Sequence, residues 1–125
     1  MNITEDYCSY EVAKLLKEKG FDEKTLSYYE DNVLCHGDWY EWNRSPLGHI
    51  AAPTHQMAMK WLREEKNIFI VIEPHAYDYV NEKNKSYSCS LWVGDNYYEY
   101  LESRAYPSYE EAVEAALKYC LENVI

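Results

Sequence analysis

The C-terminal segment fixes one element of the fold before anything else is considered. Tyr109, Ala112, Val113, Ala116, Leu117, Cys120, Leu121 and Val124 recur at helical spacing and form a single apolar stripe. Ser108 stands at the head of this stripe with Glu111 three residues on. That is the pattern of a capping box, in which the hydroxyl takes an orphan amide and the carboxylate reaches back. Glu110, Glu111 and Glu114 fall in the first two turns, where the helix dipole favours negative charge. The spacing predicts a helix over 109–123. Because its stripe is apolar, other elements must cover it.

Two more helices are legible by the same chemistry. From Ser9 to Lys19, Val12, Leu15 and Leu16 make an inward stripe, and Gly20 is placed to end the helix in the left-handed conformation, with Phe21 packing back on the stripe. After Ala52-Pro53, Thr54 can cap a helix whose apolar face is Met57, Ala58, Trp61 and Leu62 and whose end falls near Lys66-Asn67.

Between the helices the period changes to two. In Ser86–Val93, Tyr87, Cys89, Leu91 and Val93 face one way and Ser86, Ser88 and Ser90 the other, which predicts a half-buried strand. The β-branched run Ile68–Ile72 predicts a central strand that Pro74 should bend or end. A hairpin loop is expected over Asn81–Lys85, then a turn at Gly94-Asp95-Asn96 into a strand at Tyr97–Leu101. In the first half, short strands are expected near Thr25–Tyr29, Val33–His36 and Trp39–Trp42, separated by Glu30-Asp31-Asn32 and Gly37-Asp38. The expectation is a single α+β domain over 1–125, a mostly antiparallel sheet with three helices packed on one face, in the order α-βββ-α-βββ-α. Ser-Tyr-Glu at both Ser9 and Ser108 admits a duplicated unit, but helix-start chemistry alone produces that much likeness.

Charge narrows the partners. Twelve Lys and Arg against 22 Asp and Glu give a formal charge of −10, which opposes a nucleic-acid duplex unless a local basic stripe overrides it. The one such stripe, Lys14, Lys17, Lys19 and Lys24, reads more simply as a solvated helix face near a C-terminal dipole. The α-βββ-α order from Thr54 onward resembles that of double-stranded-RNA-binding domains, yet residues 67–125 carry ten acids against four bases, a net of −6. A DNA mimic, whose carboxylates stand in for phosphates, is the acidic form of a protein-binding reading. The longest apolar run, Ile68–Ile72, has five residues against the roughly 20 of a membrane span. With an acidic start and no apolar leader after it, the expected place is the cytoplasm.

Few residues group for chemistry. Cys8, Cys35, Cys89 and Cys120 show no motif spacing and read as reduced thiols. His36, His49, His55 and His75 lie outside any zinc-binding signature, although Cys35, His36, His49 and His55 could hold a metal if strand and loop converged. Cys35 beside His36 looks like a nucleophile and its base, but strand neighbours project to opposite faces. A small hydrolase using Cys35, His36 or His55 is therefore the second reading. Gly20, Gly37, Gly48 and Gly94 are too scattered to cradle a phosphate, and no cofactor is expected.

Aromatic content is the unusual feature, with 14 tyrosines and 4 tryptophans. These side chains combine large contact area with a polar tip and are enriched at binding surfaces. They concentrate at Trp39-Tyr40-Glu41-Trp42 and Tyr97-Tyr98-Glu99-Tyr100, and consecutive aromatics on a strand cannot all face a core. The expected binding surface is Trp39, Tyr40, Trp42, Tyr97, Tyr98 and Tyr100, mixing aromatics with acids and suited to a protein partner of basic character. A tyrosine-rich sheet face would also admit a homodimer.

Taken together, Ser9–Phe21, Ala52-Pro53-Thr54 with Lys60–Glu64, and Ser108–Ala112 with Tyr119–Glu122 resemble a family of short acidic hypothetical proteins from prophages and mobile elements of gut bacteria. The resemblance covers nearly the whole chain and rests on helix starts and core stripes. It implies an intracellular accessory role on a mobile element, and no site residue.

Overall fold

A computed structural model describes residues 3–76, 85–98 and 106–125. The element order is α1 (Tyr10–Glu18), β1 (Thr25–Glu30), β2 (Val33–Tyr40), a 3-10 turn (Trp42–Arg44), β3 (Ile50–Ala51), α2 (His55–Lys66), β4 (Ile68–Ala76), β5 (Lys85–Val93), β6 (Asn96–Tyr98) and α3 (Tyr109–Tyr119). This is an α+β chain in the order α-βββ-α-βββ-α. Its strands divide between two antiparallel three-stranded sheets, ordered β2-β1-β3 and β4-β5-β6. The middle strand is the first in sequence in one sheet and the second in the other, so the halves do not share a topology.

Each helix starts on the side chain its sequence offers. Ser9, Thr54 and Ser108 accept hydrogen bonds from the amides of Val12, Met57 and Glu111, respectively. Their ends differ. Gly20, at φ +97°, closes α1 with bonds from its own amide to Lys17 O and from Phe21 N to Leu16 O, which folds Phe21 back into the core. Asn67 takes the left-handed conformation at φ 54° after α2. The expected helix over 109–123 is α-helical to Tyr119 and continues as one wider π-type turn, Cys120–Val124, closed by Ile125 N on Cys120 O.

Packing follows the stripes. Leu16 of α1, Leu62 of α2, Leu91 of β5 and Leu117 of α3 are fully buried in one cluster with Phe21 and Trp61. α2 and α3 cover the inner face of the second sheet, and α1 packs on β3 and α3. Inner-face pairs are Ile68 with Val93, Ile70 with Leu91 and Ile72 with Cys89, the alternation expected of β5.

Three expectations for the strands are corrected. Trp39–Trp42 is not a separate strand: Gly37 and Asp38 lie within β2, and Trp42 opens the 3-10 turn. The chain reverses instead at Asp31-Asn32, whose φ values of 49° and 68° make a two-residue turn matched to strand twist. β1 places Thr25 opposite Tyr40 and Ser27 opposite His36, so Leu26 faces three residues of β2 and the ladder bulges. Second, among the described residues β4 pairs on one side only, with β5, and is not a central strand. Third, Pro74 does not end the ladder but stays in register opposite Tyr87. Tyr87 exchanges both backbone bonds with Tyr106, at 2.8 and 2.7 Å, so it turns away from Pro74 and the missing proline N–H costs β4 nothing. The loop expected at Asn81–Lys85 reaches β5 at Lys85 and otherwise lies outside the described residues, as do residues 99–101 of the strand expected at Tyr97–Leu101.

The bulge leaves little room at Gly37. A Cβ there would stand 3.1 Å from the ring atoms of both Trp42 and Tyr28. Those rings stack at 4.0 Å, and Trp42 Nε1 donates to Thr25 O at 2.9 Å, so neither ring can easily yield. Gly37→Ala should therefore cost about 1–2 kcal/mol in denaturant unfolding.

Candidate functional site

The β2 bulge turns Trp39 outward and places it across from α2. There it lines a groove of about 560 Å³ with Phe21, Met57 and Trp61. Phe21 arrives by the Gly20 turn, and Met57 and Trp61 stand four residues apart on α2, on one side of the helix. Phe21 and Trp61 meet edge to face at 5.5 Å and are both buried, whereas Trp39 keeps 54% of its surface exposed. The groove thus has a fixed aromatic floor and one uncovered aromatic wall.

Its charged lining is mostly acidic, with Glu23, Glu41, Glu64 and Glu65 against Lys24 and Lys60. Arg44 holds part of this rim, pairing with Asp22 and, at 3.2 Å, with Glu41. Glu23, Glu64 and Glu65 make no ion pair among the described residues. The Lys66 ammonium lies 5.5 Å from the centre of the Trp61 ring, so a cation already uses one of these aromatic surfaces.

The sequence-expected aromatics separate into two places. On the first sheet, Tyr40 is exposed beside Trp39, and Trp42 is half-buried, stacked on Tyr28 and edge-on to His49. On the second, Tyr97 and Tyr98 are each half exposed on β6, and Tyr97 meets Trp92 at 4.9 Å. Tyr100 lies outside the described residues. Phe21, Met57 and Trp61 escape a sequence reading that assigns them to core stripes. The one available signal is the way Lys60, Glu64 and Glu65 flank Trp61 with charge.

The residues weighed for catalysis do not converge. Cys35 is opposite Tyr28 and His36 opposite Ser27 on successive rungs, so the two side chains leave β2 on opposite faces. His36 Nδ1 bonds Ser27 Oγ at 2.6 Å, His49 Nδ1 bonds Ser45 Oγ at 2.9 Å, and His55 Nε2 bonds Glu114 at 2.8 Å. His75 Nε2 bonds Ser88 Oγ at 2.7 Å. No group of three or more His, Cys, Asp or Glu residues arranged to hold a metal occurs among the described residues. Two of the four lysines weighed as a basic stripe close the fold instead: Lys17 donates to His49 O and Lys19 to Ile125 O.

Cys8, His55 and Glu114 look more like a catalytic set, and the geometry gives them another role. Cys8 is fully buried and weakly bonded to Thr54 O, and burial, then the Glu114 charge, raises its thiol well above the ordinary range. A thiol held neutral and out of solvent is a poor nucleophile. Glu114 accepts from the Ser9 amide and from His55, both at 2.8 Å, at the starts of α1 and α2. Burial pushes its carboxyl up, but these bonds outweigh it and hold the carboxyl below its ordinary value. The set ties helix ends together.

Among the described residues, no helix is long and apolar enough to cross a membrane. Comparison with protein-family models, curated proteins and solved structures finds no match.

Proposed function

We propose that this chain is a non-enzymatic accessory protein that binds another protein, engaging a basic segment of it in the groove between β2 and α2. The observation that carries this reading is Trp39, an exposed tryptophan at the mouth of a concave site with a buried aromatic floor and a rim of four glutamates against two lysines. Aromatic anchors beside a pocket dominate binding energy, and acids around them favour a cationic partner and speed its approach. A Lys or Arg side chain over the Trp39 ring, its charge toward Glu64 or Glu65, would use both features at once.

Titration with peptides of matched length, Lys/Arg-rich against neutral, tests this directly through tryptophan fluorescence. The basic peptides should bind more tightly, and more weakly as salt rises. Trp39→Ala should weaken them about 30-fold, the loss of a hot-spot residue worth about 2 kcal/mol. Equal binding of both peptide classes, or unchanged affinity in Trp39→Ala, would overturn the reading.

A further inference from the structure

The rim of the groove already holds a cation of the chain's own, and the inference drawn from it rests on the binding reading above. Arg44 reaches two acids at once: Nη2 pairs with Asp22, and Nη1 lies 3.2 Å from Glu41 Oε2. Glu41 lines the groove, and Asp22 stands in sequence between Phe21 and Glu23, which line it too. Of the four glutamates in the lining, Glu41 alone is ion-paired among the described residues. Arg44 therefore withdraws one groove carboxylate from any incoming cation.

The backbone that carries Arg44 is fixed, and its side chain is free to leave. Asn43 donates to Phe21 O at 2.6 Å and accepts from Ala51 N at 2.7 Å, and Trp42 Nε1 donates to Thr25 O, so the 3-10 turn is tied to three other segments. Beyond it the Arg44 side chain is 61% exposed, and those of Asp22 and Glu41 are 47% and 37% exposed. Ion pairs this open are weak and yield to a competing cation. We propose that Arg44 is an internal competitor for the groove: in the free chain it holds Asp22 and Glu41, and a Lys or Arg of the bound segment displaces it and pairs with Glu41 in its place.

The other cations near the groove do not have this relation to it. Lys24 and Lys60 line the groove without an ion pair among the described residues, and Lys66 lies against the Trp61 ring. Only Arg44 bridges two carboxylates, a task that suits the forked guanidinium. The consequence is selective. A basic segment must break this contact to use Glu41, whereas a neutral segment gains nothing by displacing Arg44 and leaves it in place. Arg44 thus lowers the affinity of the groove for the cationic partners that its other acids attract.

Titrating the intact chain with the same Lys/Arg-rich and neutral peptides tests the proposal through substitution of Arg44. At low salt, Arg44→Gln should bind the basic peptides about threefold to fivefold more tightly and the neutral ones as the parent does, and the gain should fade as salt rises. Lys118→Gln removes the same charge from another exposed pair, with Glu11, whose residues lie outside the groove lining. It should change affinity by less than about twofold. In a Glu41→Gln background the gain from Arg44→Gln should shrink to less than about twofold, because the two residues act through one contact. A parent that prefers basic peptides, with Arg44→Gln no tighter, would overturn this proposal and leave the groove reading standing. Equal tightening by Lys118→Gln would assign the gain to net charge, and a full gain in Glu41→Gln would place it elsewhere than Glu41; either result overturns the proposal. A parent without preference for basic peptides would remove the reading on which it rests.

Discussion

Replacing Glu114 by alanine should lower stability by about 2–3 kcal/mol and the melting temperature by roughly 6–15 °C. The carboxylate is the shared acceptor for the Ser9 amide and the His55 ring, and His55 is 94% buried, so its removal leaves a donor in the interior with no partner. Position adds to the effect, because Ser9 caps α1 and His55 opens α2, placing one negative charge at the positive ends of two helices. The pH dependence has a definite sign. Since the folded carboxyl sits below its unfolded value, its contribution is complete above the ordinary carboxylate range and disappears as pH falls through the folded value. Glu114→Gln should therefore be less stable than the parent at neutral pH and lose less on acidification. Parallel acid limbs for the two proteins would show that the charge of Glu114 contributes nothing.

Leu117→Ala should cost about 2–5 kcal/mol, among the largest effects of any single substitution here. Leu117 is fully buried in the cluster that joins all three helices to β5, and truncation removes its methyl groups while the surrounding helices hold the cavity open. Leu47→Ala is the matched control, because Leu47 is 81% exposed and the same chemistry there should change stability by less than about 0.5 kcal/mol. Urea denaturation of the pair checks both. A similar midpoint for the two variants would mean that the helices close over the missing side chain.

What was legible in the sequence was what the chain decides locally. Ser9, Thr54 and Ser108 cap within three residues, and Gly20 ends its helix through bonds to neighbours, so spacing alone locates them. Strand partnership is decided at longer range. Ile68–Ile72 looks like a strand flanked on both sides because it is apolar on both faces, yet its outer face is partly open and, among the described residues, it is paired on one side only. Gly37-Asp38 has turn composition but is spent on a bulge, while Asp31-Asn32 makes the reversal. The groove was half legible: Trp39 stands out by composition, whereas Phe21, Met57 and Trp61 follow the helical period and read as core. Nothing near Glu114 foretells His55, 59 residues away.

The reach of Glu114 also orders events during synthesis. Ser9 is 105 residues from the carboxylate that accepts its amide, and Lys19 is 106 from the carbonyl of Ile125 that it holds. α1 is thus completed by residues made more than 100 positions after it, and β1–β3 emerge long before the apolar face of α3 that closes the shared core. These long-range contacts cannot form until α3 has been made, so the core that α1 and α3 share closes late and the earlier elements wait with their apolar faces uncovered.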